Sequence, residues 1–161
     1  LVTEPSPFRY ERADESPGLL LWKLTTLWQD RVVTALRSFG LTQTQYAILA
    51  SLRWFEEHGE RPTQRSLGDH ARIDKMTLSK AIRKLEGAGL VTRQGAPHDA
   101  RATQVGFTTR GRRIVAKAIV AVEDADETFF AGLDGDQLRS WMSLTSGVIG
   151  LQATTESAES S

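Results

Sequence analysis

From Asp74 to Arg101 the chain reads DKMTLSKAIRKLEGAGLVTRQGAPHDAR, and the fold turns on this stretch. Leu78, Ala81, Ile82 and Leu85 recur at spacings of three and four, which places them on one face of a helix from about Asp74 to Gly87. Gly87 and Gly89 end that helix. Its opposite side carries Met76, Thr77, Lys80, Arg83 and Lys84, with Lys75 and Ser79 at the margins. Two β-prone runs follow, Leu90 to Gln94 and Thr103 to Thr108. Gly95, Pro97, His98 and Asp99 separate them, which predicts a hairpin with a loop too long for a tight turn.

Immediately upstream, Pro62-Thr63 opens a shorter helix carrying Leu67 and Ala71, and a brief turn from Arg72 to Asp74 joins the two. Two short helices across a tight turn, the second followed at once by a hairpin, is the layout of a winged helix-turn-helix, whose second helix can enter a major groove. The flanks are helical. Ser16-Pro17 supplies a hydroxyl N-cap and a proline at the first helical position. Leu20, Leu24, Leu27, Trp28, Val32 and Leu36 then form a stripe that ends near Gly40. Thr42 and Gln45 have capping-box spacing ahead of Ile48, Leu49, Leu52 and Phe55. Periodicity resumes at Ile114 and runs through Phe129. Asp134 and Gln137 repeat the capping-box spacing before a last helix with Leu138, Trp141, Met142, Val148 and Ile149.

The expected organisation is mainly α with a small β-hairpin wing: an arm over 1–16, a dimerisation helix over 17–40, the winged helix-turn-helix over 41–111, dimerisation helices over 112–153 and a polar, frayed tail over 154–161. Trp22, Trp28, Trp141 and Met142 are large apolar residues near the chain ends, where a second copy would cover them. Packing of the first helix on the last is the alternative.

With 161 residues, 40% of them hydrophobic, the chain can bury a core and is not disordered throughout. The 20 Lys and Arg balance the 20 Asp and Glu, but not locally. Between Arg61 and Arg113 there are 12 basic and four acidic residues, so this segment is +8 and the remainder −8. Such a block is the footprint of a polyanion-binding face. The absence of cysteine removes disulfides, thiolate metal sites, Cys nucleophiles and thiol sensing. There is no apolar run of membrane-spanning length and no basic-then-apolar leader pattern, so a cytoplasmic location with no membrane partner is expected.

For the block's chemistry, Thr77, Ser79, Lys80 and Arg83 are expected to read or straddle bases, while Thr63, Arg65, Lys75 and Lys84 position phosphates. Arg93 lies on the incoming strand. Asp99 and Arg101, two apart in an extended backbone, project to one side, so the carboxylate can orient the guanidinium for a narrow minor groove. The bland alternative is a solvated helix face and a surface ion pair. His70 is expected to be a partly buried structural residue, and Trp28, Trp54 and His58 are candidate ligand contacts.

Leu67-Gly68-Asp69-His70-Ala71, Thr77-Leu78-Ser79-Lys80, Leu85-Glu86-Gly87-Ala88-Gly89-Leu90-Val91, Asp99-Ala100-Arg101 and Phe107-Thr108-Thr109-Arg110-Gly111 together resemble the MarR family of bacterial transcription regulators. The resemblance implies a homodimer that binds a pseudo-palindromic operator on double-stranded DNA, often released by a small aromatic or anionic ligand. It also implies a wing in which Arg101 reaches the minor groove. No cofactor is expected. Two other readings stand beside it. One is a winged helix used for protein contacts or for DNA architecture without operator preference. The other is a metal-dependent phosphohydrolase built on His58, His98-Asp99 and Asp124 or Asp126, although no Gly-rich phosphate loop or Gly-x-Ser-x-Gly elbow is present.

Overall fold

The structure, a computed structural model, describes residues 6–97 and 99–159; for Asp99, Ala100 and residues 153–159 it describes the backbone alone. The chain falls into two units, one through Ala125 and one from Asp126.

In the first unit, Ser16 caps α1 (Pro17–Leu36) by accepting from the Leu19 N–H. A 3-10 turn, Arg37–Phe39, then leads to Gly40, which takes the left-handed φ of 65° that ends the segment. Thr42 and Gln45 exchange both bonds of the predicted capping box, at 3.2 and 3.0 Å, and open α2 (Gln43–Glu57). Thr63 caps α3 (Gln64–Ala71) and Asp74 caps α4 (Lys75–Gly87). Between α3 and α4, Arg72 sits at φ 50°, and the Ile73 N–H donates to the Gly68 carbonyl at 3.0 Å, so the reversal takes very few residues.

The wing pairs β1 (Val91–Ala96) with β2 (Asp99–Phe107) in antiparallel register, Val91 opposite Phe107 and Gly95 opposite Thr103. Beyond an irregularity at Gly95–Ala96, Ala96 pairs with Asp99. The strands are therefore longer and the loop shorter than the sequence predicts. Gly95 and Ala96 have low strand propensity, but pairing with Thr103 and Asp99 holds them, and the irregularity takes up the unequal strand lengths. The other edge of β2 meets the segment before α3. Val105 N–H donates to the Pro62 carbonyl at 3.1 Å, Thr63 bridges to Gln104, and the Gln104 amide donates to the Arg61 carbonyl at 3.4 Å.

One core joins these elements. All four residues predicted for the inner face of α4 are buried, together with Val32 and Leu36 of α1, Ile48, Leu49 and Leu52 of α2, Leu67, and the wing residues Val91 and Val105. Val115, Ala118 and Val122 of α5 (Thr109–Phe130) complete it. Burial of each large aliphatic side chain contributes about 1.5–3 kcal/mol. α5 starts one turn before the apolar periodicity because its first turn, Thr109-Arg110-Gly111-Arg112, shows no stripe. The N-terminal half of the α1 stripe is not buried: Leu20 and Leu27 are exposed together with Leu21 and Trp22.

α2 and α5 are tied by Arg112, whose guanidinium lies 2.6 Å from the Glu56 carboxylate. That hydrogen bond, reinforced by Arg53, holds the Glu56 carboxyl below the usual carboxylate range. A depressed folded pKa gives stability that is full above the unfolded value and is lost as the pH falls through the folded one. Glu56→Gln is therefore expected to flatten the acid limb of the stability profile, seen as a smaller loss of melting temperature between neutral and acid pH than in the parent.

In the second unit, Asp134 accepts from the N–H groups of Asp136 and Gln137, both at 2.9 Å, and the Gln137 side-chain oxygen accepts from the Asp134 N–H, opening α6 (Gly135–Glu159). Phe130 packs on Trp141 with ring centroids 4.7 Å apart. α6 runs past Thr154, where sequence polarity predicts a frayed tail. No glycine or proline after Gly150 interrupts propagation through Ala, Thr and Glu. Met142, Val148 and Ile149 are exposed. Among the described residues, no helix is long and apolar enough to cross a membrane.

Candidate nucleic-acid interface

The first turn of α4 is fixed from its own N-cap. Asp74 accepts from the Met76 and Thr77 N–H groups at 3.0 and 2.9 Å, and the bonds from Thr77 hold its carboxyl below the usual range. With Leu78, Ala81, Ile82 and Leu85 turned into the core, Lys75, Met76, Thr77, Lys80, Arg83 and Lys84 are all exposed, and Ser79 is half-buried at the margin as its position predicts. Lys80, Arg83 and Lys84 lie within one turn of each other on a rigid, solvated face.

Beside this face a groove of about 670 Å³ runs between α3, the start of α4 and β2. It brings Thr63, Arg65, Lys75 and Arg101 together although they lie up to 38 positions apart in sequence. Thr63 is partly committed to capping α3, its hydroxyl accepting from the Ser66 N–H at 3.1 Å. Arg65 is almost fully exposed and only 3.9 Å from Asp69, a loose surface pair. Arg101 projects from the outer part of β2. His98 and the side chain of Asp99 lie outside the described residues, so the expected carboxylate–guanidinium pair does too.

Arg93 differs from the other predicted cations. Its Nε and Nη2 donate to one Glu86 oxygen at 2.9 and 2.5 Å, clasping β1 to the end of α4 and holding the Glu86 carboxyl below its usual range. In this structure it is a wing clamp. Glu86 and Arg93 are seven residues apart across a helix–strand turn, a pairing that neither helical nor strand periodicity reveals.

The candidate ligand residues lie on α1 and at the C-terminal end of α2. Trp54 and His58 stack with ring centroids 4.0 Å apart on the last turn of α2, and the His58 Nδ1 lies 2.7 Å from the Trp54 carbonyl. Trp28 packs against the core from α1. Neither the groove nor a second cleft of about 440 Å³ behind the wing, between Leu52, Glu56, Gln104 and Phe107, is lined by any of the three. His70 is more exposed than expected. Its Nδ1 nevertheless lies 3.0 Å from the buried Ser51 hydroxyl and its ring 4.9 Å from Trp54, so it joins α3 to α2.

Residues 37–126 match the model of the ArnR1-like winged-helix domain, more than half of the chain. Over 123 residues the chain is 36% identical to the HTH-type transcriptional regulator YdcH of Bacillus subtilis, covering 76% of this chain and 84% of that protein. A MarR-family transcriptional regulator from Rhodococcus sp. RHA1 superposes with a TM-score of 0.77 at 23% identity, over 86% of this chain and 96% of that one. This chain belongs to the MarR family of winged-helix transcriptional regulators. Other members share the fold. A mutant of Escherichia coli MarR, solved with operator DNA, gives a TM-score of 0.74 at 23% identity over 81% and 91% of the two chains. PcaV of Streptomyces coelicolor, solved with its natural ligand, gives 0.74 at 21% over 89% and 98%. The relatives of this MarR-family chain are transcriptional regulators, which sets aside the phosphohydrolase reading.

Proposed function

We propose that the chain is a repressor that acts as a homodimer, each copy presenting α4 to the major groove and the wing to the adjacent minor groove of a pseudo-palindromic operator. The observation that carries this reading is the convergence of Thr63, Arg65, Lys75 and Arg101 on one groove beside the exposed Lys80–Arg83 face. Lys and Arg on a rigid helix can neutralise phosphates and reach guanine O6 and N7, while Thr77 and Ser79 are short enough to let the backbone approach base edges. The exposed apolar residues of α1, Trp22 and Leu27 among them, and, separately, those of α6, Ile149 among them, are proposed to be covered by the second copy. In that dimer the two copies of α4 stand about 34 Å apart, one turn of duplex.

Release by a small aromatic or anionic ligand belongs to the same proposal. Trp28 and the Trp54–His58 stack are its candidate contacts, and the ligand acts only so far as it binds the DNA-free arrangement of the lobes more tightly. Localisation with the DNA, in the cytoplasm, follows from the function.

Selection of bound fragments from the genome that encodes the protein, sequenced at physiological salt, tests the reading. A recurrent inverted repeat is expected. Fragments enriched without a shared sequence would favour an architectural binder, and no enrichment would favour a protein-contact module. On the recovered site, Arg101→Ala is expected to weaken binding by about 1–3 kcal/mol. Unchanged affinity at matched salt removes the wing from the interface.

A further inference from the structure

Met76 is the most exposed large apolar side chain among the described residues, at 84%, and it stands inside the cationic face. Its sequence neighbours Lys75 and Thr77 and its helical neighbour Lys80 are exposed and polar or charged, so along α4 it stands among polar and cationic groups. Its position is fixed: it is the second residue of α4, and its N–H is held by the Asp74 cap at 3.0 Å. In a helix-turn-helix the N-terminal residues of the second helix come closest to base edges. Among the major-groove edges of the four bases, the C5-methyl of thymine is the apolar group; the other positions are hydrogen-bond donors and acceptors.

We infer that Met76 is a specificity-determining residue that packs its thioether on a thymine methyl in each half-site. The inference rests on the reading of α4 as the major-groove helix and adds to it the base that an uncharged residue selects. Met suits this role because its unbranched, polarizable side chain fits an irregular apolar surface, whereas the flanking cations cannot discriminate a methyl group. Met76, Lys80 and Arg83, at i, i+4 and i+7, form one stripe, so the methyl contact would lie next to the contacts made by the two cations.

The test uses the full chain and a duplex selected by it from a random-sequence library, with each thymine of both half-sites replaced in turn by deoxyuridine, which removes only the methyl. At one thymine position the parent protein is expected to bind about fourfold more weakly per half-site, the equivalent of one buried methyl group. Met76→Ala should bind the parent duplex more weakly and be indifferent to deoxyuridine at that position, while Met76→Leu should stay sensitive. Selected sequences with no fixed thymine, a parent protein indifferent to every deoxyuridine, or a Met76→Ala variant as sensitive as the parent would each overturn the inference while leaving DNA recognition by α4 intact. Failure of the library to yield any enriched duplex would overturn both. An unchanged melting temperature for Met76→Ala, expected from its exposure, shows that any binding loss is not unfolding.

Discussion

Gly111→Ala is expected to destabilise the protein by about 3 kcal/mol, lowering the melting temperature by about 6–12 °C. The first turn of α5 lies directly on the backbone between α4 and β1. A Cβ on Gly111 would sit 1.9 Å from the Leu90 carbonyl oxygen and 2.8 Å from its carbon. That carbonyl cannot swing away cheaply, because it accepts from the Thr108 N–H at 3.1 Å, and Thr108 also donates its hydroxyl to the Gly89 carbonyl at 2.7 Å. Removing glycine from a helix is ordinarily worth about 1 kcal/mol in favour of alanine. Here the backbone clash outweighs it. Gly87→Ala is the control: nothing lies within 4 Å of its Cβ, so it should be neutral or slightly stabilising. Thermal melts of both variants decide the matter, and a Gly111→Ala protein with the parent melting temperature would mean that α5 does not seat on Leu90.

The second large effect is on DNA. Lys80→Ala combined with Arg83→Ala is expected to cost about 2 kcal/mol or more in operator affinity, about thirtyfold, and to relax the choice of base. Both side chains are exposed and outside the core, so stability should not move. Lys75→Ala with Lys84→Ala should behave differently. Loss of phosphate contacts weakens all sequences alike and reduces the slope of log K against log salt by about 2 per protomer. Gel-shift or fluorescence titrations across a salt series, on the selected site and on a scrambled one, separate the two pairs. Equal effects of both pairs on both duplexes would erase the division between base-reading and phosphate-positioning residues.

Most of the fold is legible in local spacing, because its signals are local. The Ser16 cap, the Thr42–Gln45 box and the Leu78–Leu85 stripe each depend on residues within one or two turns, and all three form as their sequences predict. The wing is less legible. Gly95 and Ala96 pair because a partner strand is present, and Pro62 and Thr63 meet Gln104 and Val105 across some forty residues, which no window of sequence contains. The same distinction applies to the site. Periodicity alone places Lys80 and Arg83 on the outer face. The gathering of Arg65 and Arg101 into one groove and the Arg93–Glu86 clasp depend on tertiary packing. Exposure singles out Met76, whereas composition counts it as one more hydrophobic residue.

Equilibrium titration of the full chain against a selected duplex and a scrambled duplex of equal length, repeated from dilute buffer to physiological salt, bears most directly on whether this surface is a sequence reader. Binding to both should weaken steeply as salt rises, with the selected duplex retained about a thousandfold or more tightly at the upper end. No measurable association with either duplex even in dilute buffer would contradict it.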